Sequence, residues 1–301
     1  LKQEKPTLSH EIELTMLRKG VAVIGSTTID KIVRDDRIVF RQGGVTTYSG
    51  LTYRKHDIPT IVVSNVAPKN SAVLDRLTER HIVVFGGRSD HTTHFVNEIV
   101  GKDRLQELHW KARQIKHDQI VNIMNKVDAV HFGPLHPTDI ESKTFTHLKK
   151  FNVSIWLDAQ GYTRKVIDKR VYPFVSKRLS AALMLAHIAK ANGSELRVIL
   201  DFYHMNLEQL MRRFKIEEFV VTLGKDGGYV RTQSGQELQY NAVKAKSVHD
   251  PTGAGDVFFA AYTICRFSQR SSIADACCYA AKIAAQQVEG NYIALERLSL
   301  T

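Results

Sequence analysis

Much that would place this chain in a class at first sight is absent from it. Its 301 residues include three cysteines. These are Cys265, Cys277 and Cys278, two of them adjacent and none in a CxxC spacing, so a disulfide framework is excluded and reduced thiols are expected. The 13 histidines show no HExxH or paired-ligand spacing, which argues against a zinc enzyme. No apolar run reaches bilayer length. The first twenty residues mix Lys, Glu and His with scattered Leu and Ile and lack a signal peptide's apolar centre. A cytoplasmic protein without a membrane partner is the expectation. There is no internal repeat, no low-complexity tract and no Walker A loop. Carboxylates are in deficit, 31 Asp and Glu against 42 Lys and Arg, for a formal charge of +11. A basic field favours anionic ligands. No basic block is interleaved with aromatics, and Lys169-Arg170 and Arg212-Arg213 read as solvated positions, so nucleic acid is not the expected partner.

What is present is an alternation. Short apolar runs at Val21–Ile24, Thr60–Ser64, Ala129–Phe132, Ser154–Leu157, His187–Lys190 and Phe219–Leu223 read as buried parallel strands. Helical patterns at 71–80, 115–125, 139–150 and 207–214 lie between most of them, which predicts an α/β fold with crossover helices. Residues 1–19 read as an N-terminal extension and 20–301 as one domain. Two stretches, about 31–42 and 91–110, break the alternation and read as strands of a small sheet outside the main one. The Ala-rich end, 253–267 and 272–288, is helical, with Gly290 as a stop.

The most informative segment is His249-Asp-Pro-Thr-Gly-Ala-Gly-Asp-Val-Phe258. Gly253, Ala254 and Gly255 are small enough to expose successive N–H groups where an apolar helix begins, which is an anion site. Asp256 beside it would repel a phosphate unless it has a task, such as taking a proton from an attacking hydroxyl. A plain helix cap by Asp250 or Thr252 is the structural alternative. This string resembles the C-terminal signature of the PfkB, or ribokinase-like, family of carbohydrate and nucleoside kinases. The resemblance implies a three-layer α/β/α sandwich with a mostly parallel central sheet and a small β lid.

Other segments extend the resemblance from about Val21 to Gly290. Asn192-Gly-Ser-Glu195 matches the family's Asn-x-x-Glu motif, implying Mg²⁺ organised by Asn192 and Glu195, through water because Mg²⁺ dehydrates reluctantly; the same residues also spell a capping box. Val220–Gly228 resembles the nucleotide strand, implying Thr222, Gly224 and Gly227 near the nucleotide, with Asn192 close by. Asp30 and the Gly43-Gly44 pair occupy the acceptor positions. Tyr48 stands about where many sugar kinases carry an Asn that binds sugar hydroxyls, which makes it a candidate substrate-binding residue with Asp30, Gly43 and Gly44. Leu157–Arg164 matches a strand-end Asp…Arg pattern and implies Arg164 at the transferred phosphate. The lid and the Leu157-Asp-Ala-Gln160 segment look more like the myo-inositol kinase branch.

The resemblance thus implies ATP- and Mg²⁺-dependent phosphorylation of a sugar, cyclitol or nucleoside hydroxyl. Asp256 would be the base, ionised at neutral pH if it keeps an ordinary aspartate pKa of about 3.9. A monovalent cation near Asp250 and a homodimer through the lid are further expectations. The alternatives are a nucleoside kinase, with Tyr48 and Phe95 as candidate base-clamping aromatics, and a non-catalytic sugar-binding descendant.

Overall fold

The computed structural model describes residues 19–34, 37–100 and 103–300. Most of the predicted extension therefore lies outside the described residues. In chain order the strands and helices are β1 (Val21–Gly25), β2 (Thr28–Arg34), β3 (Arg37–Gly43), α1 (Val45–Lys55), β4 (Thr60–Val66), α2 (Ala72–Thr78), β5 (Val83–Arg88), β6 (Thr93–Val100), β7 (Asp103–Trp110), α3 (His117–Val121), β8 (Ala129–Gly133), α4 (Lys143–Leu148), β9 (Ser154–Asp158), β10 (Arg164–Ile167), β11 (Arg170–Pro173), α5 (Leu179–Leu183), β12 (Ile188–Asn192), α6 (Gly193–Tyr203), α7 (Leu207–Phe214), β13 (Glu218–Thr222), β14 (Gly228–Thr232), β15 (Glu237–Tyr240), α8 (Ala254–Thr263) and α9 (Ile273–Val288).

The main sheet runs β15-β14-β13-β12-β9-β8-β1-β4-β5. From β13 to β5 every pair is parallel, and β14 and β15 add an antiparallel edge. Alternate residues of each central strand feed opposite cores. Ala22, Ile24, Val130, Phe132, Ile155 and Leu157 pack with residues of α3 to α7 on one face. Val21, Val23, Ala129 and Trp156 pack with α1, α8 and α9 on the other. Burial on both faces is why these strands read as unbroken apolar runs. The result is a three-layer α/β/α sandwich.

A second sheet, β10-β11-β7-β6-β2-β3, stands outside it. It contains the two segments that broke the alternation and one hairpin, β10–β11, that the sequence reading did not anticipate. Also unforeseen were β5 and α1. Two forecast helices are shorter than expected: 115–125 yields α3 and a separate 3₁₀ turn at Met124–Lys126, and 139–150 yields Lys143–Leu148.

Candidate active site

The carboxyl ends of parallel strands, with helices starting just beyond them, are where an open α/β sheet binds ligands. Here β9 ends on Asp158, β12 on Asn192 and β13 on Thr222. A cavity of about 220 Å³ sits over these ends, and its wall includes Asp30, Gly44, Tyr48, Phe95, Arg164, Lys190, Asn192, Thr222, Gly253, Gly255 and Asp256. Of the predicted site residues, nine come together there. Thr222, Gly224, Gly227, Ala254 and Gly255 line an adjoining cavity of about 790 Å³, walled otherwise mostly by apolar residues such as Val243, Val248, Phe258, Ala284 and Val288, with Lys225 and Lys244 among them. Glu195 is not on the first cavity's wall; it lines a third cavity together with Asn192 and Arg164. Gly43 stands behind Asp30, where a Cβ would lie 2.5 Å from the Asp30 Oδ2 atom. The glycine is what lets that buried carboxylate lie against the backbone.

The turn before α8 is built on Gly253, the residue at the helix's N-terminal boundary, with φ of 78°. Neither Asp250 nor Thr252 caps the helix. Asp250 instead accepts from the Thr252 N–H at 2.9 Å and is ion-paired with Arg41. The Ala254 N–H, expected to face an anion, donates to the Pro251 carbonyl at 3.2 Å. Among the described residues, no hydrogen bond engages the N–H groups of Gly253, Gly255 and Asp256. The free donors at this helix start are therefore those three, with the Asp256 amide in place of Ala254. Ser49 of α1 steadies the turn by donating to the Asp256 carbonyl at 3.2 Å.

Asp256 does not keep an ordinary acidity. Desolvation in the cleft, with the negative charge of Asp158 and a smaller contribution from Glu195, pushes its pKa up to about 7 against the opposing pull of Lys190 and Arg164. This corrects the expectation of a fully ionised aspartate well below neutrality. A carboxyl poised near neutral pH, beside a set of unused N–H donors, can accept a proton from a hydroxyl.

Lys190 is the residue that sequence reading missed. It is buried, and its Nζ donates to Asp158 Oδ2 at 2.7 Å. It also lies close under Gly255, where a Cβ would be 3.2 Å from Nζ. Burial pulls its pKa down, but Asp158, Glu195 and Asp256 outweigh that and hold it above the ordinary lysine range. A charged ammonium thus sits beneath the turn that opens α8. Its signal was the lone cation in an apolar strand, two residues before Asn192.

Asn192 and Glu195 form a reciprocal cap. Asn192 Oδ1 accepts from the Glu195 N–H at 2.8 Å, and Glu195 Oε2 accepts from the Asn192 N–H at 2.9 Å. The cap fixes both side chains at the start of α6. Among the described residues, no group of three or more His, Cys, Asp or Glu converges as a metal cage.

The sequence matches the profile of pfkB family carbohydrate kinases over residues 97–294. The chain belongs to the pfkB family. It is accordingly a kinase, a phosphotransferase with an alcohol acceptor. A search of curated protein sequences finds no match. Among solved structures, this pfkB kinase resembles a pyrophosphate-dependent kinase of the ribokinase family complexed with a pyrophosphate analogue and myo-inositol, at 19% identity and a TM-score of 0.79, with 89% of this chain and 95% of that one covered. It also resembles ribokinase of Arabidopsis thaliana complexed with ribose and ATP, at 18% identity and a TM-score of 0.72, with 93% and 95% covered. A nucleoside kinase of Methanocaldococcus jannaschii, an archaeal member of the ribokinase family, gives 16% identity and a TM-score of 0.71 over 93% and 95%. At these identities the likeness is one of fold, and the ribokinase-like architecture is shared by all three. No helix among the described residues is long and apolar enough to cross a membrane.

Proposed function

We propose that this pfkB kinase transfers the γ-phosphoryl group of ATP to a hydroxyl of a small sugar or cyclitol, with Asp256 as general base. The observation that carries this reading is the position of Asp256: it opens α8 beside three unused N–H donors, in a cavity whose wall also holds Asp30 and Arg164. Asp256 takes the acceptor's proton as its oxygen bonds to phosphorus. The N–H groups of Gly253, Gly255 and Asp256, with Lys190 beneath and Arg164 beside them, offset charge on the phosphoryl oxygens. Asp30, with two oxygens and Gly43 making room for them, accepts from acceptor hydroxyls.

The choice of ATP rests on the 790 Å³ cavity, which shares Thr222, Pro251 and Gly255 with the smaller one and is mostly apolar beyond them. A base and ribose need such a room; pyrophosphate does not. Asn192 and Glu195 supply the hard oxygens that suit Mg²⁺, which would be held there through water and would screen the triphosphate. Asp250 already has the Arg41 guanidinium as its cation, so a monovalent ion is not part of the reading. Tyr48 is buried beneath the turn, and Phe95 is the aromatic left to serve a nucleoside base.

The test is a coupled assay with ATP or pyrophosphate as donor against myo-inositol, ribose, fructose, adenosine and cytidine. Turnover with ATP and a polyol is the expected result. Pyrophosphate-only turnover would overturn the donor assignment, and turnover of nucleosides alone the acceptor assignment. Asp256→Asn lowers kcat by about 10²–10⁴ with donor binding kept; unchanged turnover would reject the base.

A further inference from the structure

A further cavity, of about 480 Å³, lies at the other end of α1 from the candidate kinase site. Its wall is made by the last turns of α1 (Leu51, Arg54, Lys55), by α2 and the turn after it (Arg76, Leu77, Arg80, His81), by the C-terminal segment (Tyr292, Ile293, Arg297) and by Gln42. Five arginine and lysine side chains and one histidine face one carboxylate, that of Glu79. The nearest comparable relief is partial: Arg54 lies 3.7 Å from the fully exposed Asp57. Among the described residues, Arg80 and Arg297 have no carboxylate partner.

Two of the cations are held in place by backbone carbonyls. Lys55 Nζ donates to the Tyr292 carbonyl at 2.6 Å and stands 4.4 Å above the Tyr292 ring. Arg76 donates to the Ser299 carbonyl at 2.8 Å. Burial first, and the nearby Arg297 charge second, lower the Lys55 pKa. Gln42 is buried on the same wall, donates through Nε2 to the Val73 carbonyl at 2.9 Å, and leaves its Oε1 without a partner. Leu51, Leu77 and Ile293 give the cavity an apolar part.

We propose that this cavity binds a small phosphorylated metabolite, its phosphate taken by Arg80, Arg297 and Lys55 and its body resting on the apolar wall with a hydroxyl or amino group offered to Gln42. Guanidinium forks match phosphate oxygens in pairs, and the volume suits a sugar phosphate or a mononucleotide rather than a lone ion. The site reaches the acceptor loop directly, because Gln42 precedes the Gly43-Gly44 pair and its N–H donates to the Leu298 carbonyl at 2.8 Å. The binding proposal does not depend on the identity of the kinase substrates.

The experiment is isothermal titration of the full chain with inorganic pyrophosphate, ribose 5-phosphate and AMP, each run on the wild type, on Arg80→Glu/Arg297→Glu and on Arg80→Lys/Arg297→Lys. The expected result is a binding event in the wild type, for at least one phosphate ester, that weakens about a hundredfold or more on charge reversal, as the loss of two charge-assisted contacts implies. The lysine pair keeps part of the affinity, and raising salt weakens it. Binding at the kinase site stays the same in all three proteins, and basal turnover confirms that each is folded. Ribose 5-phosphate and AMP differ in body but share the phosphate, so their ranking tells sugar phosphate from nucleotide. Binding of pyrophosphate alone, identical isotherms in wild type and charge-reversed protein, or no event beyond the kinase site would overturn the proposal.

Discussion

Gly253 rests on the ring of Tyr48: a Cβ added at the glycine would lie 2.3 Å from the ring's Cγ and Cδ1 atoms. The tyrosine is buried within α1, and the glycine adopts a left-handed φ of 78°. Ring and turn therefore set each other's height, and through the turn they set where the free N–H groups point. Asp30, Asp250 and Asp256 all surround the phenol, and burial first, then these charges, keep it firmly protonated.

Gly253→Ala meets both obstacles, the backbone angle and the ring. The variant is expected to lose about 1–3 kcal/mol of stability, read by denaturant melting. Displacing the N–H donors by even a fraction of an ångström is expected to cost about 10²–10³ in kcat. Normal turnover in a folded Gly253→Ala protein would show that the turn is not part of the chemistry.

Glu195 has a cap to maintain and, on the proposed reading, a metal to organise. Gln at the same place can still accept from the Asn192 N–H, since Glu and Gln serve alike in a capping box. Glu195→Gln is therefore expected to melt near the wild type while requiring more Mg²⁺ for half-maximal rate. Glu195→Ala loses both. If Glu195→Gln leaves the Mg²⁺ titration unchanged, the carboxylate is a cap and nothing more.

The fold was legible because its parallel strands are buried on both faces, and six apolar runs mark six of them. The elements that escaped notice lack such a mark. Helix α1 reads Val45-Thr-Thr-Tyr-Ser-Gly-Leu-Thr-Tyr, rich in β-branched residues with Gly50 in the middle, and local propensity speaks against it. It forms because Val45, Tyr48 and Tyr53 are buried between the sheet and α8, a tertiary reason that no local pattern carries. Strand β5 contains Gly86-Gly87, which reads as a turn, yet it pairs along β4. At the site, the signature placed Asp256, but its acidity depends on Asp158 and Lys190, brought there by neighbouring strands β9 and β12. Which N–H of the turn is already used, that of Ala254, is likewise a matter of three-dimensional geometry.

The second sheet carries an unusual share of exposed apolar side chains. Ile38, Leu105, Trp110 and Ile167 are each about half exposed, and Phe40 and Tyr172 more than a third. They lie on β3, β7, β10 and β11, so they belong to one sheet. A face of this kind calls for a partner, and a second copy meeting it sheet to sheet is the expected one. Light scattering should give a dimer in solution, and Ile38→Glu with Leu105→Glu a monomer. A wild-type monomer at tens of micromolar would remove the dimer from consideration.

The raised pKa of Asp256 gives the sharpest test, because it fixes a direction for each of several variants. As a base Asp256 must be ionised, so kcat/KM is expected to rise through about pH 7 and level off above it. Asp158 is a cause of that elevation, so Asp158→Asn should move the rising limb to lower pH. It also strands the buried Lys190, and a loss of about 3–5 kcal/mol is expected from breaking such a pair. Damage to the fold alone would lower the rate at every pH and leave the limb in place. Stability supplies an independent check with its own sign. A carboxyl whose folded pKa lies above its unfolded value contributes fully below the unfolded value and loses that contribution as pH rises through the folded one. Asp256→Asn, which carries no charge, should therefore melt higher than the wild type at pH 8 and close to it at pH 4. An equal difference at both pH values would mean that residue 256 titrates as an ordinary aspartate, and the neutral-pH limb would then belong to another group.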